Sequence, residues 1–159
     1  MAVQLSTGYV QRRNEGYSFA DLFNGGCIEL RTGPQPGNAD MPATGTLVGR
    51  ITRDGAEWSP GSPTAGLRFT STGRYMSKHF TDVWQLVGLA TGEPGWMRLI
   101  GNTPDDGGAS LTAPRIDGAV GLLGATTDVQ LFLPTLALSS ATVIDINYWW
   151  LAPPPLPGD

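Results

Sequence analysis

The chain has 159 residues, among them 22 Gly, 13 Pro, one Cys and one His, and its formal net charge is −4. Such a length suits a single domain, which at roughly 150 residues buries about 70% of its unfolded surface without disulfide staples. Lone Cys27 and His79 exclude an internal disulfide and a Cys/His metal set, the acidic balance argues against nucleic acid as a partner, and no apolar run approaches the roughly 18 residues of a membrane span.

The chain starts with a stretch in which no apolar segment follows Arg12 and Arg13, so it is not a signal peptide, and residues 1–17 are expected to form an N-terminal arm. One short helix is expected: Ser18 caps Phe19-Ala20-Asp21-Leu22-Phe23, Asp21 sits in the first turn, and Asn24-Gly25-Gly26 ends it. Elsewhere Gly and Pro interrupt the chain too often for helices of ordinary length. Residues 27–32 alternate as a strand with Ile28 and Leu30 on one face, and after a long loop through 33–42 a second strand covers 46–52. Residues 67–70 are the next strand, and 81–90 and 96–101 are expected to pair as a hairpin across Thr91-Gly92-Glu93-Pro94-Gly95. Residues 115–121 form a strand kinked at Gly118, and 128–133 point Val129, Leu131 and Leu133 inward. The most β-prone stretch is 141–151. Residues 152–159 are a Pro-rich, extended C-terminal tail that cannot pair in a sheet. About eight strands within 18–151 imply an all-β domain, a two-sheet antiparallel sandwich of the jelly-roll kind with one short N-terminal helix.

Residue types for chemistry are scarce. His79 is the only histidine and sits in a segment read as a loop, so any Ser-His-Asp relay would rest on it alone. No phosphate-binding Gly-rich loop is present. Asp105-Asp106-Gly107 could meet calcium, yet two adjacent carboxylates in a surface turn do not make a cage. Glu15, Glu29, Glu57 and Glu93 fall in unrelated segments, so no carboxylate pair offers acid–base work. The expectation is a protein that is not an enzyme and that carries no cofactor or metal.

Contact surfaces are better represented. Charged residues make up 15% of the chain, against roughly 25% in an average soluble domain, which suits a surface partly hidden in an assembly. Trp149 and Trp150 are adjacent on a strand, so if one fills the core the other faces out. An outward Trp is characteristic of an interface hot spot. Trp58, Trp84, Trp96, Trp149 and Trp150 could alternatively line a sugar-binding groove. Pro153, Pro154, Pro155 and Leu156 offer a stiff arm to lay across a neighbour, and Pro34 and Pro36 lie in the long loop. The interface candidates are therefore Trp58, Trp149, Trp150, Pro34, Pro36, Pro153, Pro154, Pro155 and Leu156.

The run Phe23-Asn24-Gly25-Gly26-Cys27-Ile28-Glu29-Leu30-Arg31-Thr32-Gly33-Pro34-Gln35-Pro36, followed by Asn38-Ala39-Asp40 and Ala43-Thr44-Gly45-Thr46-Leu47-Val48, resembles a family of small virion structural proteins of tailed bacteriophages. Gly95-Trp96-Met97-Arg98-Leu99 and Arg115-Ile116-Asp117-Gly118-Ala119-Val120-Gly121 are similar to the same family, as is the terminal β stretch followed by prolines. The likeness covers residues 22–153 and is one of strands and turns, not of a catalytic signature. It implies a capsid decoration (cement) protein, assembled in the host cytoplasm, that binds the major capsid protein on the outer head surface and associates with itself as a dimer or trimer. The alternative it leaves is a tail, baseplate or fibre component that recognises a host glycan. No active-site residue is carried over by the resemblance.

Overall fold

A computed structural model describes residues 3–62, 64–125 and 128–151. The elements are β1 (Gln4–Leu5), α1 (Thr7–Asn14), α2 (Phe19–Phe23), β2 (Cys27–Thr32), β3 (Leu47–Arg53), β4 (Phe69–Thr72), β5 (Tyr75–Lys78), β6 (Trp84–Gly88), β7 (Pro94–Ile100), β8 (Arg115–Leu122), β9 (Leu131–Leu133), β10 (Val143–Ile146) and β11 (Trp150–Leu151). They form a large sheet in the order β1-β8-β7-β2-β3-β6-β10 and a small one in the order β11-β5-β4. The all-β expectation holds, and both of these paths are antiparallel throughout. One departure is β9, which adds to the outer edge of β8 in parallel.

Among the described residues there are two short helices where one was expected. Residues 7–14, within the expected N-terminal arm, form the helix α1, whose start is tied to β8. The Ser6 hydroxyl accepts from Tyr9 N–H at 3.1 Å and from Arg115 N–H at 2.8 Å, and donates to Ala113 O at 2.8 Å. Tyr9 is buried and stacks on Phe23 with ring centroids 5.5 Å apart. The apolar face of α1 is too narrow for periodicity to show, although Ser6 as cap and Arg12-Arg13 in the last turn are ordinary helix signals. In α2 the expected cap is a full capping box: Asp21 N–H donates to Ser18 Oγ at 3.0 Å and Ser18 N–H to Asp21 Oδ2 at 2.8 Å. The Gly25-Gly26 turn after it is required by crowding, since a Cβ on Gly26 would stand 1.9 Å from Ile100 O and Gly25 has φ +86°.

The expected hairpin between 81–90 and 96–101 does not form. β6 pairs with β3 and β10, whereas β7 pairs with β2 and β8, so two strands separate them. Their connection instead crosses the ends of β3 and β2. Leu89 N–H donates to Val48 O, and Gly92 bridges Leu138 while lying against Val48 and Thr32. Nor is 141–151 one strand: β10 closes the large sheet, Asn147–Trp149 crosses over, and β11 joins the small one. In β9, Leu131 and Leu133 are buried as expected, while Val129 lies before the strand and is only partly covered.

Register assigns the two faces of the large sheet, because directly paired residues project to the same side. Leu5, Ile116, Leu99, Ile28, Ile51, Leu86 and Ile144 form one unbroken apolar row across seven strands. This side packs against α1, α2 and the small sheet through Tyr9, Phe19, Phe23, Phe69 and Leu151. On the opposite side, Gln4, Asp117, Arg98, Glu29 and Arg50 form a second row in which charge alternates from strand to strand.

The middle of that charged row is withdrawn from solvent. Arg98 and Asp117 are fully buried and form a bidentate pair, Nε to Oδ1 at 2.7 Å and Nη2 to Oδ2 at 2.8 Å. Arg50 Nη2 meets Glu29 Oε2 at 3.0 Å. Beside them, buried Arg115 holds Asp105 at 2.5 and 2.7 Å and donates to Gly108 O at 2.7 Å. Arg98 also donates to Met41 O at 3.1 Å, so the loops around 41 and 105–108 are drawn over the sheet as its cover. Burial tends to raise the Asp105 carboxyl, but the hydrogen bonds from Arg115 and Gly107 N–H prevail and hold it below the ordinary carboxylate value. For Asp117 burial prevails and the carboxyl is pushed up.

Breaking such a pair leaves a buried charge alone, so Arg98→Met is expected to lower stability by about 3–5 kcal/mol in urea unfolding, with part recovered in the Arg98→Met/Asp117→Leu double variant. The depressed Asp105 contributes stability that is fully present above the unfolded carboxylate value of about 3.9 and is lost as pH falls through the lower folded value. Replacing Asp105→Asn should therefore flatten the acid limb of stability below about pH 4 in a series of thermal unfolding curves, relative to the unaltered chain.

Candidate contact surface

The small sheet has one covered and one open face. In its register Phe69 stands opposite Lys78, Thr70 opposite Ser77, and Trp150 opposite Ser77 from the other side. Phe69, Met76 and Leu151 therefore look inward, and Phe69 meets Trp84 and Trp149 with ring centroids at 5.2 and 5.4 Å. Trp84 and Trp149 complete the triangle at 5.7 Å. Thr70, Tyr75, Ser77 and Trp150 fall on the outer face by the same parity.

Large aromatic side chains are exposed on β5 and β11 and just outside them. Trp150 is 73% exposed, Tyr148 93%, Phe80 81% and Tyr75 50%. Tyr75 and Trp150 are diagonal neighbours on adjacent strands, their ring centroids 6.0 Å apart and their planes inclined by 33°. Lys78 N–H donates to Trp149 O at 2.9 Å, which carries the β5–β11 pairing one residue further and sets Tyr148 across from His79. Phe80 stacks on the His79 ring at 5.0 Å. The result is a pair of exposed rings, Tyr75 and Trp150, on a sheet anchored from beneath by its own aromatic triangle, with Tyr148 and Phe80 exposed two residues from the ends of β11 and β5 in the chain. Neighbouring exposed rings of this kind mark a contact site more often than single exposed side chains do.

The parity argument for the two terminal tryptophans holds, and it corrects one interface candidate. Trp149 is the core residue, 5% exposed, and cannot contact a partner; Trp150 is the outward one. Trp84 and Trp96 are also fully buried, so a groove lined by all five tryptophans does not exist. Trp58 is half-buried: its Nε1–H donates to Gly25 O at 2.8 Å and Arg50 lies over its ring at 5.8 Å. Pro36 is buried and Pro34 exposed. Their loop is not a free arm, because Asp40 accepts from Thr7 N–H and Oγ1–H at 2.7 and 2.6 Å and Ala43 N–H donates to Gly107 O. Pro153, Pro154, Pro155 and Leu156 lie outside the described residues.

The groups with chemical potential are occupied structurally. Cys27 is buried, and burial, reinforced by nearby Glu29, pushes its thiol far above the ordinary value, so a thiolate nucleophile is not formed there. Asp105 is held by Arg115, and Asp106 Oδ1 accepts from Gly108 N–H at 2.8 Å, as befits a turn. His79 Nδ1 lies 2.9 Å from Thr81 Oγ1 and 4.0 Å from Asp82 Oδ1. Both partners approach the same ring nitrogen, whereas a proton relay needs the hydroxyl on one nitrogen and the acid on the other. Asp82 is instead gripped by both Arg68 donors, whose hydrogen bonds are the chief reason its carboxyl is held below the ordinary value. A cleft of about 770 Å³ between α1 and the 102–115 segment is lined by acids and bases such as Arg12, Glu15, Asp105 and Arg115, which are already paired with one another.

Tyr75 and Phe80 are exposed rings that the sequence reading lacks, since 75–80 reads as a loop, and Tyr148 lies in the expected terminal strand without being among the candidates. Gly73 at φ +63° between two runs of β-prone residues was the available hairpin signal. Comparison of the chain with protein-family models, with curated proteins and with solved structures finds no match.

Proposed function

We propose that this chain is a structural protein of a tailed-phage virion, acting as a capsid decoration protein that binds the outer surface of the major capsid lattice and stabilises the head. The observation that carries a contact role is the pair of exposed rings on the small sheet, Tyr75 and Trp150, with Tyr148 and Phe80 exposed just outside its strands in the chain. The choice of a virion rests on the resemblance of residues 22–153. A decoration protein works by covering surface that the shell leaves open, and each specific contact of that kind buries on the order of 1,200 Å² or more. A non-enzymatic role is supported by Cys27, His79, Asp105 and Asp117 all being engaged in packing or pairing. For the architecture we favour a sandwich, with the small sheet as the second layer; the triangle of Phe69, Trp84 and Trp149 between the sheets supports it. The jelly-roll form of that reading rests on strand number alone.

A second reading, host-glycan recognition by a tail or fibre component, draws on the Tyr75–Trp150 pair with the Ser77 and Thr70 hydroxyls on the same face. Mass spectrometry of purified particles should find the protein in many copies per head, and heads stripped of it should release DNA at lower temperature than decorated ones. Absence from particles would overturn the virion assignment. A shift of the Trp150 indole resonance on titration with host-surface polysaccharide, in place of binding to heads, would select the glycan reading.

A further inference from the structure

Beyond the exposed pair of Tyr75 and Trp150 the sequence continues into a proline-rich segment. β11 ends at Leu151, and the next residues are Ala152-Pro153-Pro154-Pro155-Leu156-Pro157. Pro154 to Pro157 is a PxxP sequence, the pattern that docks as a polyproline II helix against exposed aromatic rings. Such a surface is what Trp150 and Tyr75 provide, two rings 6.0 Å apart on the outer face of a rigid sheet. We infer that the Pro-rich segment of one copy of this chain binds the Trp150–Tyr75 platform of a second copy, so that the protein assembles by exchanging these segments.

The occupant follows from the length of the link. Ala152, Pro153, Pro154 and Leu156 each precede a proline, the composition from which polyproline II ligands are made. A single residue, Ala152, stands between Leu151 and the first proline, too short a link for the segment to return to the Trp150 of its own chain. Charge agrees: Arg74 is exposed next to Tyr75, and Asp159 follows Pro157 by two residues. A preformed helix loses little entropy on docking, which suits a short contact repeated around a ring or lattice.

The inference rests on reading the outer face as a contact surface, but not on the virion assignment. Its test is the association state of the full chain by sedimentation velocity and native mass spectrometry at micromolar concentration. The full chain should associate, and a chain ending at Leu151 and a Trp150→Ala chain should each be monomeric. Mixing those two variants should restore a heterodimer, because one retains the platform and the other the segment. Trp150 is exposed, so thermal unfolding should match the parent; if it does not, Tyr75→Ser replaces it as the platform variant. A monomeric full chain, association unchanged by loss of the segment, or failure of the mixed variants to associate would each overturn the inference. A monomer found on virions would leave the proposed function standing while sinking this one, and an oligomer absent from virions would do the reverse.

Discussion

Burial of the Arg98–Asp117 pair is the constraint from which much of this architecture follows. A guanidinium and a carboxylate removed from water require every remaining donor and lone pair to be met nearby, or the pair becomes a liability. Here much of the meeting is done by backbone carbonyls from distant loops, Met41 O for Arg98 and Gly108 O and Ala39 O for Arg115, while Arg98 Nη1 has no hydrogen-bond partner and the guanidinium lies over the Trp96 ring at 5.2 Å. Sheet registration and loop placement thus become one event. The alternating row Asp117, Arg98, Glu29, Arg50 also penalises a slipped register, because a two-residue shift of β7 on β2 sets Arg98 against Cys27 or Arg31 in place of Glu29 and a one-residue shift turns charges into the apolar core.

Much of the strand content was legible from alternation and turn residues, since Cys27–Thr32, Leu47–Arg53 and Arg115–Leu122 lie close to where their patterns put them. Pairing was not. Nothing local tells Trp84–Gly88 to avoid Pro94–Ile100, a choice made by four strands competing for two edges. The burial of Arg98 and Asp117 is not legible in alternation, because a covering loop leaves no trace in periodicity. The helix α1 was missed because Tyr9 is the one large side chain it buries deeply. At the contact surface the adjacent pair Trp149-Trp150 was decided by parity alone, whereas Tyr75 and Phe80 became members only through a hairpin whose turn, Gly73, is a single residue of signal.

The molecule divides its aromatic residues between two tasks. Phe69, Trp84 and Trp149 lock the small sheet from within, and Tyr75, Tyr148 and Trp150 populate its outside. A rigid support beneath exposed rings keeps them from collapsing onto their own chain, which preorganises the surface at little further entropic loss on binding. Tight grips such as Arg68 on Asp82, at the border of this sheet, serve the same stiffness.

The crossover from β10 to β11 also sets how the domain would answer a mechanical load. Tension applied to the chain beyond Leu151 reaches first the two residues paired with β5, then the buried ring of Trp149, and only afterwards the four-residue pairing of β10 with β6. Yielding would proceed in that order, extending the tether by a few residues while the charged and apolar rows of the large sheet stay registered. β11 is in this sense a fuse between the chain beyond Leu151 and the body of the domain.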